Sequence, residues 1–264
     1  MLAGMSRRHL ASACAAAAAL ALALVPAAAQ ANSFPLVGWW PMNEGSGQVV
    51  HDWSFHGNNG MLGDSPTADD HDPSWIPGVF WGSALHFDGF DDFVTVPASP
   101  ELQPQRLTVA AWVRSAGGPG GFRYVVSMRG RACDTSAYGL FTPVDGNLAF
   151  YVAGSDRYYI SPEAPASLWD GNWHNVAGTF DGSTVRLYVD GQQVGTGMPA
   201  PTTIDYADLP IDKGMIGAYP GSGCFGTTDS LTFSGDIDGV QIWSRALPVD
   251  TIWRTLKALF TSSR

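Results

Sequence analysis

The chain has 264 residues, 45% of them hydrophobic and 12% aromatic, which is enough to bury a core in one large domain and excludes a disordered or fibrous polypeptide. With 31 Gly and 18 Pro, helix interiors would be broken too often for a bundle, so many short strands joined by turns are expected. The formal net charge is −10, and without the two arginines near the N-terminus 12 bases face 24 acids, a surface that repels phosphate and argues against nucleic acid as a partner.

The first element is an address. Ser6-Arg7-Arg8-His9-Leu10 is followed by an Ala/Leu run from Ala13 to Val25, then Pro26 and Ala29-Gln30-Ala31. A positive start, a short apolar stretch and a small-x-small site make a secretory signal, with cleavage expected after Ala31. A membrane anchor is the alternative, but the run is mostly Ala and ends in Pro and small residues, so no membrane insertion is expected once it is removed. The Arg7-Arg8 pair also fits a twin-arginine signal. Cys14 leaves with this segment, and Cys133 and Cys224 remain in a compartment that permits oxidation. A disulfide between them would close a loop of about 90 residues and stabilise the fold by on the order of 4–5 kcal/mol. Two unconnected buried thiols are the alternative.

Residues 32–264 contain no linker-like stretch and read as one domain. Leu107-Thr108-Val109-Ala110-Ala111-Trp112-Val113-Arg114, Leu148-Ala149-Phe150-Tyr151-Val152 and Thr184 to Asp190 alternate with period two and predict half-buried strands. Asp-Gly pairs at 88, 145, 170, 181, 190 and 238 mark tight turns. Short strands at this spacing predict an all-β fold, a two-sheet antiparallel jelly-roll sandwich. The tail from Pro248 to Leu259 has helical spacing, with Ile252, Leu256 and Leu259 on one stripe, and predicts a short C-terminal helix.

Four stretches carry a resemblance: Trp40-Pro41-Met42-Asn43-Glu44-Gly45-Ser46-Gly47 with Asp52 to Gly60; Ala84-Leu85-His86-Phe87-Asp88-Gly89-Phe90-Asp91-Asp92-Phe93-Val94; Trp173-His174-Asn175-Val176 through Asp190-Gly191; and Gly235-Asp236-Ile237-Asp238-Gly239-Val240-Gln241-Ile242-Trp243-Ser244-Arg245-Ala246-Leu247. In this order they resemble the laminin-G-like jelly-roll domains of the concanavalin A-like lectin/glucanase superfamily. Phe55 stands where that family usually has Gly, and Gly239 where it usually has Glu. The resemblance implies the sandwich; it does not by itself imply one function, because lectins, adhesion modules and enzymes share that fold.

Catalytic patterns are sparse. Glycoside cleavage needs two carboxylates facing one groove, and the three Glu, at 44, 101 and 163, are isolated from one another. Asp236 and Asp238 share a strand face, which keeps a glycan-cleaving enzyme as an alternative. No Gly-x-Ser-x-Gly elbow occurs, and His51, His56, His71, His86 and His174 lack zinc spacing, although His51, Asp52 and His56 lie close in sequence. The chain is therefore expected not to be an enzyme.

The resemblance points to calcium, bound by oxygen-rich irregular loops. Its usual acidic positions correspond to Asp52, Asp91, Asp92 and Asp238, with Asp52 and Asp238 expected to meet where the first and last strands pair; turn capping by the same side chains is the alternative. Asp64, Asp69, Asp70 and Asp72 read as a solvated insertion. For ligand contact the pattern sought is an aromatic ring beside a carboxylate or amide, because sugars present flat C–H faces ringed by hydroxyls. Asp156 with Tyr158 and Tyr159, Trp169 beside Asp170, and Phe122-Arg123-Tyr124 fit it. Of Tyr158 and Tyr159, a strand points one in and one out. The sum is an exported, non-catalytic module for carbohydrate or a glycosylated surface, with a protein-binding adhesion module as the main rival.

Overall fold

A computed structural model describes residues 35–79, 82–130, 136–206, 211–219, 231–252 and 254. The predicted signal, Cys133 and Cys224 lie outside the described residues. In chain order the strands are β1 (Leu36–Trp40), β2 (Val49–Val50), β3 (Gly60–Leu62), β4 (Ser74–Pro77), β5 (Ser83–Asp88), β6 (Val94–Pro97), β7 (Leu107–Arg114), β8 (Tyr124–Gly130), β9 (Ser136–Phe141), β10 (Ala149–Ala153), β11 (Tyr158–Ile160), β12 (His174–Phe180), β13 (Thr184–Val189), β14 (Gln192–Pro199), β15 (Ile211–Ile216) and β16 (Ser234–Trp243).

They form two sheets. The first has the order β14-β13-β12-β7-β16-β5-β4, with β1 also on β16; the second has the order β11-β10-β9-β8-β15-β6-β3-β2. The ladders between these strands are antiparallel, as the sequence predicts. β16 is long enough to hold β5 along Ser234–Ile237 and β1 along Val240–Trp243.

Between the sheets lies one apolar layer that includes Trp40, Phe87, Tyr138, Phe150, Phe180 and Phe233, all fully buried. Gly178 on β12 is part of that fit: a Cβ there would overlap the Phe150 ring of the opposite sheet. The expectation of half-buried strands fails for β7, where only Arg114 is not buried, and for β10, which is buried throughout. A second apolar cluster on the outer face of the first sheet, containing Leu36, Ala110, Trp112, Trp243, Leu247 and Ile252, covers the side that alternation assigns to water. Ile252 comes from a helical turn that begins at 249, where Ile252 N–H donates to Pro248 O (3.1 Å). Leu256 and Leu259 lie outside the described residues. Four of the Asp-Gly pairs sit in connections between strands and Asp88-Gly89 ends β5; the sixth, Asp238-Gly239, lies inside β16, where Gly239 (φ 58°) makes a bulge.

Candidate functional site

Cross-strand register gathers aromatic side chains on the outer face of the second sheet. Tyr158 on β11 opposes Ala153 on β10, and Ile160 opposes Tyr151; Tyr151 opposes Gly139 on β9, and Phe141 opposes Tyr124 on β8. Residues paired in this way point to the same side of a sheet. The result is a continuous ladder of rings: Tyr158 to Tyr151 at 5.6 Å, Tyr151 to Phe141 at 5.1 Å, Phe141 to Tyr124 at 5.5 Å and Tyr124 to Tyr219 at 4.9 Å. Gly139 has no side chain to fill the space that Tyr151 occupies, since a Cβ there would come within 3.0 Å of the Tyr151 Oη.

The ladder is graded in exposure. Tyr151, Phe141 and Tyr219 are buried, whereas Tyr158 is 43% exposed and Ile160 36%. The buried rings hold the exposed one in place. Tyr151 Oη–H donates to Ser136 Oγ (2.6 Å), Ser136 Oγ–H donates to Met128 O (3.0 Å), and Ser136 N–H donates to Tyr158 Oη (3.4 Å). Burial pushes the Tyr124 phenol up to about 12 and the Tyr151 phenol well above its ordinary value, so both stay neutral hydrogen-bonding groups near neutral pH.

Of the four side chains predicted to touch a ligand, Tyr158 and Asp156 are on the surface. Tyr159 is not: its ring is buried between the sheets, its Oη–H donates to Asp156 Oδ1 (3.1 Å), and the Arg157 guanidinium lies 4.8 Å over it. Trp169 is likewise a core residue, with Nε1–H donating to Gly146 O (2.8 Å) and an edge contact to Phe233. Strand alternation separates the two tyrosines, while Trp169 follows a single helical turn whose buried side faces the core. Tyr124 joins the ladder; Phe122 is half exposed on left-handed backbone (φ 55°) in the preceding loop. Sequence reasoning passed over Tyr151, Phe141 and Tyr219. For Tyr151 the signal was present, because alternation puts it opposite in sense to Phe150, which fills the core.

Asp52 and Asp238, the two aspartates expected to meet at one sandwich edge, are each engaged by different backbone groups. Asp52 clamps its own turn: Oδ1 accepts from Trp39 N–H (3.0 Å) and Ser54 N–H (2.9 Å), and Oδ2 from Asn58 N–H (2.9 Å). In that turn Phe55 adopts left-handed backbone (φ 68°) and stands 99% exposed. Asp238 is buried within β16, its Oδ2 accepting from Val79 N–H (3.0 Å), and burial pushes its carboxyl up to about 7. Among the described residues neither Asp52 nor Asp238 belongs to a group of three acidic, His or Cys side chains at metal-ligand spacing.

Asp91 and Asp92 do belong to one, with Asp88, their oxygens lying within 4.8 Å of one another. Asp92 is buried, accepts from Asp88 N–H through Oδ2 (2.7 Å), and is pushed up to about 6 by desolvation and by the charges of Asp88 and Asp91. A hard divalent cation suits an all-carboxylate set of this kind, because it would relieve the repulsion that raises Asp92. The second group, Asp64, Asp69 and His71, is exposed and already compensated, with His71 N–H and Ser65 Oγ–H holding Asp69 low. The pair considered for catalysis is divided: Asp236 binds Arg114 Nε (2.6 Å) and His86 Nδ1 (2.7 Å), while Asp238 is enclosed.

The comparisons agree with this architecture. By structure the chain is similar to domain 4 of an extracellular arabinanase from Geobacillus stearothermophilus, solved in complex with arabinotriose (TM-score 0.60, 17% identity, 84% of this chain and 97% of that one). It is also similar to a Trypanosoma rangeli sialidase (0.59, 17% identity, 87% and 34%) and to the receptor binding domain of a botulinum neurotoxin C/D mosaic serotype (0.59, 10% identity, 86% and 52%). Likeness at these identities speaks for the fold alone. In sequence, pappalysin-1 of Mus musculus is 29% identical over 124 residues, 43% of this chain, which spans 8% of that protein's length. The laminin-G model of the family matches residues 87–252, and the chain belongs to the concanavalin A-like lectin/glucanases superfamily.

Proposed function

We propose that the chain is an exported, non-catalytic module that binds carbohydrate or a glycosylated surface through the outer face of the second sheet. The observation that carries this reading is the ring ladder, which ends in the exposed Tyr158 with Ile160 beside it. A flat, rigid ring backed by other rings offers a sugar's C–H face a contact with little side-chain entropy to lose. The arabinotriose complex of the arabinanase domain supports it as a precedent on a similar fold. Asp236 is engaged by Arg114 and His86 and Asp238 is enclosed, so this pair is not arranged as two carboxylates facing an open groove, which supports a binding role over hydrolysis at that strand. Calcium at Asp88, Asp91 and Asp92 would stabilise the loop between β5 and β6, and the N-terminal segment would direct export.

A glycan array probed with the full chain and with Tyr158→Ala tests the reading. The wild type should bind a defined glycan subset, and the variant, folded as judged by circular dichroism, should lose roughly tenfold or more in affinity, about 1.4 kcal/mol. Binding to no glycan, with capture by a purified glycan-free protein instead, would favour the adhesion module. Release of reducing ends from a bound glycan would favour the enzyme.

A further inference from the structure

Among the described residues, the buried polar atoms without a hydrogen-bond partner include Trp39 Nε1, Gln241 Nε2 and Asp238 Oδ1 on the outer face of the first sheet. Register makes them neighbours. Trp39 and Gln241 oppose each other directly on β1 and β16. On the other side of β16, Asp238 opposes Trp112 and Gln241 opposes Ala110, so three steps along β16 face two along β7. The bulge at Gly239 and Val240 absorbs the extra residue and turns Asp238 and Gln241 to the same face, which a regular strand would forbid.

The surroundings are apolar and closed. Trp112, Ala110 and Trp243 pack there, with Val79 and Trp39 against them, and Asp238 and Gln241 are each 1% exposed. The other polar atoms of both side chains are already engaged: Asp238 Oδ2 accepts from Val79 N–H (3.0 Å), and Gln241 Oε1 accepts from Trp243 Nε1–H (3.1 Å). These bonds fix the rotation of each group, so two donor nitrogens, Trp39 Nε1 and Gln241 Nε2, and one acceptor oxygen, Asp238 Oδ1, remain with a set orientation. Native interiors rarely leave such atoms unmatched. A cation would meet the two N–H groups and an anion the carboxylate; a water molecule accepts twice, donates once and fits an enclosed site with two to four polar partners.

We propose that this face encloses a hydration site in which one ordered water accepts from Trp39 Nε1–H and Gln241 Nε2–H and donates to Asp238 Oδ1. The water ties β1 to the bulge of β16 and is part of how the chain's first and last described strands close the sheet. The inference is independent of the glycan-binding reading, because it concerns the opposite sheet.

Two measurements on the full chain test it. In solution, with 15N-labelled tryptophan, the Trp39 indole proton, assigned by its disappearance in Trp39→Phe, should show a cross-peak to water whose NOE and ROE differ in sign, the mark of a water held longer than the molecule tumbles. In a crystal, a single density peak should lie within about 3.2 Å of all three atoms. A cross-peak with surface-water character, a direct Gln241 Nε2 to Asp238 Oδ1 bond with no intervening density, or a protein side chain or larger molecule in that place would each overturn the proposal.

Discussion

His174 is held from both sides. Its Nδ1 lies 2.7 Å from Asp190 Oδ2 and its Nε2 3.2 Å from Asp170 Oδ1, so the loop after Trp169 is fastened to the turn between β13 and β14. Partial burial alone would lower the imidazole pKa, but the two carboxylates outweigh it and the pKa is raised. A raised folded-state pKa contributes stability that is fully present below the unfolded value near about 6.5 and is lost as pH rises through the folded value. The melting midpoint should therefore fall across that window, and His174→Gln should flatten the dependence there; an unchanged slope in the variant would remove the staple from the account. His174 was read in the sequence only as one of five scattered histidines and as part of a family hairpin. Its partners come from the loop before β12 and from the turn after β13, so their meeting depends on strand length and register as well as on composition.

Among the elements, β7 shows where pattern reading succeeds and where it stops. Its limits, Leu107–Arg114, match the sequence expectation, because β-branched and apolar residues end at a charged side chain. Its burial on both faces does not follow from alternation, since the outer cover is supplied by β1 and by the C-terminal turn, far away in sequence. β12 makes a complementary point. Gly178 weakens a strand by its own propensity, yet the Phe150 ring needs its bare backbone. Gly178→Ala should destabilise by about 1–3 kcal/mol through overpacking, read as a lower denaturation midpoint with unchanged m-value. A neutral or stabilising substitution would show that the two sheets shift apart at little cost. Asp238-Gly239 was read as a turn with the other five pairs; the same left-handed tolerance serves a bulge instead, because the flanking residues pair on both sides.

For the whole molecule, the acidic side chains separate by role. Asp52 secures a turn, Asp238 sits inside the first sheet, and Asp88, Asp91 and Asp92 gather in the loop between β5 and β6. If calcium binds that loop, saturation at about one hundred times Kd stabilises the folded state by about 2.7 kcal/mol, so the midpoint should rise with calcium and fall with chelator. Asp92→Asn should abolish the difference, and equal midpoints in the wild type would eliminate the ion. The aromatic ladder belongs to this scale as well. Each ring occupies an ordinary strand or loop position, and the contact surface exists only because β8, β9, β10 and β11 lie side by side with Tyr219 against them.

Hydrophobic periodicity, turn dipeptides and four family-like stretches were enough to determine an antiparallel sandwich, because those signals are local and repeat along the chain. Which tyrosines reach solvent, which carboxylates share a loop and which polar atoms are sealed beneath the first sheet was decided by tertiary structure. Side-chain direction alternates with every residue, so a bulge such as that at Gly239 or a register between distant strands reassigns faces without leaving a mark in the local pattern.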